Sequence, residues 1–119
     1  MRERRSQRSG ERGQALAYQL EACVRRAGAK FMVLADAGGL VLASSAGDPA
    51  ECEEAAARLA ALDLCDASVG EVWRADRSIS GLCFTAMGQR LLIGIGGPSV
   101  EGALPEVRRA IEGAQRILA

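Results

Sequence analysis

The stretch FMVLADAGGLVLASSAGDPAECEEAAARLAAL, residues 31–62, decides the fold. Phe31–Ala35 is an unbroken apolar run, Asp36-Ala37-Gly38-Gly39 is rich in turn residues, and Leu40–Ala43 is apolar again. Two short apolar runs around a glycine-bearing turn predict a β-hairpin. The first run has no polar alternate, so it reads as a central strand covered on both faces. Asp48-Pro49-Ala50-Glu51 then places a side-chain acceptor at the cap, proline in the first turn and glutamate three residues after the cap. That pattern starts a helix, expected to run to about Cys65. Cys52, Ala55, Ala56, Leu59 and Leu62 form its apolar stripe, and Glu54 and Arg58 are spaced to pair outside. Its small alanine side chains suit close packing on a sheet or another helix.

Upstream, Leu16, Leu20, Cys23, Val24 and Ala27 recur at helical spacing, predicting a helix from about Gly13 to Ala27 that Gly28 terminates. Downstream, after a loop at Asp66–Gly70, the period becomes that of strands. Glu71–Arg77, Ile79–Ala86 and Arg90–Ile95 are expected as three strands, with Met87-Gly88-Gln89 turning between the last two. The glycines of Gly94-Ile95-Gly96-Gly97 leave room for another backbone to pass near the last strand's exit. Leu104, Val107, Ile111, Ala114 and Leu118 predict a closing helix from about Gly102 to Leu118, with Pro105 in its first turn. The order is α-β-β-α-β-β-β-α. Consecutive strands joined by tight turns make an antiparallel sheet, so the chain is an α+β domain.

Composition narrows function. The 119 residues hold 15 basic and 15 acidic side chains and no histidine. Histidine-based catalysis, histidine-ligated zinc and an imidazole pH switch are excluded. A balanced charge argues against a nucleic-acid binder. The balance is uneven along the chain. Residues 1–12 carry five arginines against two glutamates, a net +3, and residues 13–119 carry the compensating −3. We expect residues 1–12 to be a basic, flexible tail and residues 13–119 a single domain. No apolar stretch follows the tail's charges, so it is not a secretory signal, and no run approaches a membrane span. Four cysteines without a C-x-x-C pair read as reduced thiols, and the localisation expected is cytoplasmic.

Sharper motifs give way to plainer ones. Gly94–Ser99 lacks the lysine of a phosphate loop, and Pro98 removes a donor. Ser44 and Ser45 have no histidine as a base. Asp36 before two glycines reads as a turn residue bonding its own backbone rather than a metal ligand. We expect no catalytic residue, no cofactor and no metal. Trp73 on the third strand is a candidate interface anchor, and an edge strand there would offer its backbone to a partner.

With these elements in place the sequence resembles the roadblock/dynein light chain family of the longin and profilin-like group. The resemblance rests on the hairpin FMVLADAGGLVLASS, the alanine-rich helix after DPAE, the strand LLIGIGG and the closing helix LPEVRRAIEGAQRIL, and it covers roughly residues 13–119. It implies a five-stranded antiparallel sheet between helices. It also implies a dimer in which the middle helix and third strand meet their counterparts, and a role as regulator or scaffold of Ras-like small GTPases. The arginine- and alanine-rich usage is that of a bacterial member. The family brings no catalytic motif, so no residue inherits chemistry from it; an accessory role in GTPase activation is the nearest it comes to catalysis. Glu51, Glu54, Ala55, Arg58, Leu62 and Trp73 are the expected dimer or partner interface. The alternative is a profilin-like sensory domain holding a small ligand between sheet and helix.

Overall fold

The computed structural model describes residues 2–45, 47–74 and 77–119, and the side chains of residues 11–45, 47–72 and 78–119. The elements are α1 (Arg2–Ala27), β1 (Phe31–Asp36), β2 (Val41–Ser44), α2 (Pro49–Ala60), β3 (Val69–Arg74), β4 (Arg77–Ala86), β5 (Gln89–Gly96) and α3 (Leu104–Leu118). The expected order is the observed one. All strand pairs are antiparallel, and the sheet runs β2-β1-β5-β4-β3.

Strand alternation sorts the core into two layers. Met32 and Leu34 of β1, with Leu91, Ile93 and Ile95 of β5, pack under α1 and α3 beside Leu16, Leu20, Cys23, Val107 and Ala110. Phe31, Val33 and Ala35 of β1, with Ile79, Cys83 and Leu92, pack under α2 against Cys52, Ala55, Ala56 and Leu59. Both faces of β1 are buried, as its uninterrupted apolar run requires.

The glycines of the central strands shape the α2 layer. Gly81 of β4 pairs directly with Gly94 of β5. A Cβ on Gly81 would lie 2.7 Å from Leu59 Cδ1, and one on Gly94 would lie 2.8 Å from the same atom and 3.0 Å from Val33 Cγ1. Leu59 thus rests where two side chains are missing. Gly96 is likewise covered by the Phe31 ring. The space expected to admit a backbone admits side chains from the facing helix and the neighbouring strand instead. Within that run, Gly97 alone has backbone as its nearest neighbour, at Ala29 and Lys30.

Several boundaries differ from the sequence expectation. The first helix begins at Arg2 rather than near Gly13. The middle helix ends at Ala60 rather than Cys65. Asp63 takes φ 49°, a left-handed conformation that aspartate tolerates, and tight bonds from Leu62 N to Leu59 O and Asp63 N to Ala60 O close the last turn. The chain then folds back so that Leu62 and Leu64 cover Gly70, and pairing with β4 draws Val69 and Gly70 into β3. The closing helix starts at Leu104 with Pro105 in its first turn.

The expected cap of α2 is formed, with Asp48 Oδ1 accepting from Ala50 N at 3.0 Å. The β1–β2 turn is held by Asp36 Oδ1, which accepts from Gly38 N and Leu40 N, both at 2.9 Å. Met87-Gly88 turns between β4 and β5 with both residues at positive φ, 54° and 72°. Asn-Gly is the favoured pair for such a turn, and a residue as bulky as methionine is uncommon there.

Two outcomes test this packing. Gly94→Val should cost about 2 kcal/mol in denaturant unfolding, because the added side chain collides with Leu59 and Val33 in a filled layer. Thiol chemistry should separate the cysteines. Burial pushes the Cys23, Cys52 and Cys83 thiols above their ordinary value of 9.0, while Cys65 is exposed. A thiol reagent should label Cys65 rapidly and the other three only on unfolding. Because the folded values are raised, these thiols leave stability unchanged below their ordinary value, and stability falls as pH climbs from there through the raised values.

Candidate functional site

Two features of the fold face outward without being covered by the chain's own elements: the outer side of α2 and the β3 edge beside it. The cap and first turn of α2 concentrate acid, with Asp48, Glu51, Glu53 and Glu54 in seven residues. Carboxylates there are favoured by the helix N-terminus. One turn on, Arg58 Nη2 lies 2.9 Å from Glu54 Oε1, with the two side chains 45% and 34% exposed. This i, i+4 pair is the one expected from spacing. An exposed pair of this kind is worth about 0.3–0.5 kcal/mol to the fold, which leaves it available for recognition.

The expected interface residues do not all reach the surface. Glu51 is half-buried, Glu54 and Arg58 are solvent-accessible, and Leu62 is 42% exposed beyond the helix end. Ala55 is fully buried against the sheet and cannot touch a partner. It shares the inward stripe with Cys52, Ala56 and Leu59, and its small size serves the approach of α2 to the sheet. Trp73 lies in β3 with its backbone opposite Ser78; its side chain is outside the described residues. Val69, 48% exposed on the same strand, was not anticipated, because that strand was expected to begin at Glu71.

The sheet has two edges, and they differ. On β2 the register shifts between Leu34 and Ala35, whose partners are Ala43 and Val41, so Leu42 is bulged out. A bulge blunts an edge by twisting it and interrupting its hydrogen-bond row. On β3 the register from Val69 to Arg74 is unbroken. It is the regular edge that can accept another strand.

The sharper chemical motifs are all used structurally. Ser45 is 4% exposed, and its Oγ accepts from Met32 N at 2.9 Å. Beyond the glycine run, Val100 N donates to Ser80 Oγ at 2.9 Å and Gly102 N to Ser99 Oγ at 3.0 Å. Donors that a phosphate would need are therefore engaged in starting α3. Among the described residues, no group of three or more His, Cys, Asp or Glu is placed to hold a metal ion. Among the same residues, no helix is long and apolar enough to cross a membrane.

No protein-family profile matches the chain. No curated protein matches it either. Solved structures do. The gliding protein MglB from Thermus thermophilus superposes with a TM-score of 0.65 at 20% identity, covering 90% of each chain. A structure described as MglB with a tetrameric arrangement gives 0.67 at 19% identity, again over 90% of each chain. Myxococcus xanthus MglB gives 0.63 at 14% identity over 87% of each. Identities this low speak to architecture, and the architecture is shared over nearly the whole chain: this protein has the α+β roadblock-like fold found in the MglB structures.

Proposed function

We propose that this chain is a non-enzymatic, dimeric regulator or scaffold that binds a Ras-like small GTPase and modulates its nucleotide cycle or location. The observation that carries the reading is the regular β3 edge lying beside an exposed, charged helix. Antiparallel pairing of β3 with β3 of a second copy follows a two-fold axis perpendicular to the sheet. Such an axis keeps each face of the sheet on its own side, so both α2 helices lie together on one face of a continuous ten-stranded sheet. Glu51, Glu54 and Arg58 then occur twice on a single surface, with Leu62 and the β3 edge at its centre.

The GTPase is supplied by the resemblance to the roadblock family, not by the geometry. Supporting context comes from the fold's other carriers, one of which is described as tetrameric, so this architecture does self-associate. The rival small-ligand reading has little room. Where a ligand would sit between sheet and helix, Phe31 and Leu59 already fill the space over Gly96, Gly81 and Gly94. The working form on this account is cytoplasmic and needs no cofactor.

Two measurements bear on it. A mass determination in solution should give about twice the 12.5 kDa of the chain at micromolar concentration, and a monomer at high micromolar concentration would remove the dimer. Pull-down with the small GTPases of the source organism, loaded with GDP or GTP, should recover one of them. Arg58→Glu should weaken that capture about tenfold, ~1.4 kcal/mol, with little change in unfolding midpoint. Undiminished capture would place the GTPase elsewhere on the molecule.

A further inference from the structure

The entry to β3 fixes which of its backbone groups face outward. Ala67 N donates to Cys83 O at 2.7 Å, and Cys83 N donates to Ser68 O at 3.1 Å. Ala67 and Ser68 together thus face Cys83 alone, with Ala67 left-handed at φ 62°. This is a β-bulge of the kind that takes a left-handed first residue. Along a strand, the N–H and C=O of each residue point to one side, and the side alternates from residue to residue. Ser68 bonds Cys83, and the register continues as Gly70 opposite Gly81, Val72 opposite Ile79 and Arg74 opposite Arg77. The backbone groups of Gly70, Val72 and Arg74 therefore turn inward to β4. Those of Val69, Glu71 and Trp73 turn outward to the free edge.

This alternation limits how a second copy can pair. A two-fold axis through Gly70 matches Val69 only with Glu71 of the other copy, and the next match would need Ala67 N, already bonded to Cys83 O. An axis through Val72 matches Glu71 only with Trp73 within the strand. An axis through Glu71 matches Val69 with Trp73 and Glu71 with its own copy, so every outward group of β3 finds a partner. The same axis places Gly70 opposite Val72 of the second copy. Leu62 and Leu64 lie 2.7 and 2.9 Å from where a Cβ on Gly70 would be. Leu62, exposed in the single chain, then meets Val72 of the second copy and makes an apolar seam on the α2 side.

Glu71 lies on the other side of the sheet, alternate to Gly70, and is exposed. Across β4 it faces Ser80, with Ser78 and Leu82 on the diagonals, none of them charged. Among the described residues it has no ion-pair partner. Given the β3-paired dimer proposed above, we infer that the two copies join about an axis through Glu71, and that its two facing carboxylates are a brake on their joining. Like charges directly opposite across a strand pair are destabilising. The chain as a whole has no net charge, so the repulsion is local to this pair. The hydrogen-bonded edge and the Leu62 seam drive association, and the carboxylates keep it reversible.

Sedimentation equilibrium on the full chain tests the brake. Glu71→Gln should tighten self-association about fivefold, the order expected on removing a like-charge pair. Added salt should tighten the wild type towards the Glu71→Gln variant and leave that variant unchanged, because screening acts on the carboxylates. Thiol cross-linking tests the axis. In a Cys65→Ser background, which removes the exposed native thiol, Glu71→Cys should form a covalent dimer with oxidised glutathione, since hydrogen-bonded partners about 5.5 Å apart at Cα suit a disulfide. Val72→Cys in the same background should not. Monomers for both wild type and Glu71→Gln at high micromolar concentration would remove the dimer itself. A dimer that Glu71→Gln leaves unchanged or weakens, or cross-linking through Val72→Cys instead of Glu71→Cys, would overturn the inference while leaving the dimer standing.

Discussion

Leu59 sits on the backbone of two neighbouring strands because Gly81 and Gly94 face each other beneath it. That contact brings α2 close to the sheet, and the alanines at 55 and 56 permit the same approach along the helix. With the inner side of α2 committed this tightly, its outer side is set as well: Glu54 and Arg58 must face solvent. The same packing fills the space over Gly81 and Gly94 with the Leu59 side chain. A sheet floored with larger residues would push α2 away, loosen the chain's return to β3 and change the spacing between helix and edge.

The edges of the sheet carry the next constraint. Edge strands invite pairing, and folded proteins usually block the ones they do not use. Here β2 is blocked by the bulge at Leu42 and flanked by α1, whereas β3 keeps a regular register. One edge is closed and the other open. The balanced net charge hides a similar asymmetry along the chain, with base concentrated in residues 1–12 and acid in the first turns of α2.

Much of this was legible in the sequence where local chemistry is strong. The Asp48-Pro49 start of α2, the Asp36 turn and the apolar run of β1 each report a local requirement, and each is where it was expected. The element order and the antiparallel sheet follow from tight turns between consecutive strands. What the sequence hid depends on contacts distant in the chain. The end of α2 is set by Asp63 and by Leu62 and Leu64 folding over Gly70, and the start of β3 by pairing with β4. Ala55 illustrates the same limit at the interface. A small residue on a helix suits a partner surface or a sheet equally well, and only the Gly81–Gly94 floor shows that it belongs to the sheet. The glycines themselves were legible as gaps, but not as gaps that Leu59 and Phe31 would fill.

The central claim is that β3, not β2, is the edge at which two copies join. Amide hydrogen exchange followed over a range of protein concentration tests it most directly. The account predicts that amides within Val69–Arg74 become more protected as concentration rises, while those of Val41–Ser44 stay unchanged. Concentration-dependent protection in β2, or none in β3 at concentrations where the protein is dimeric, would contradict it.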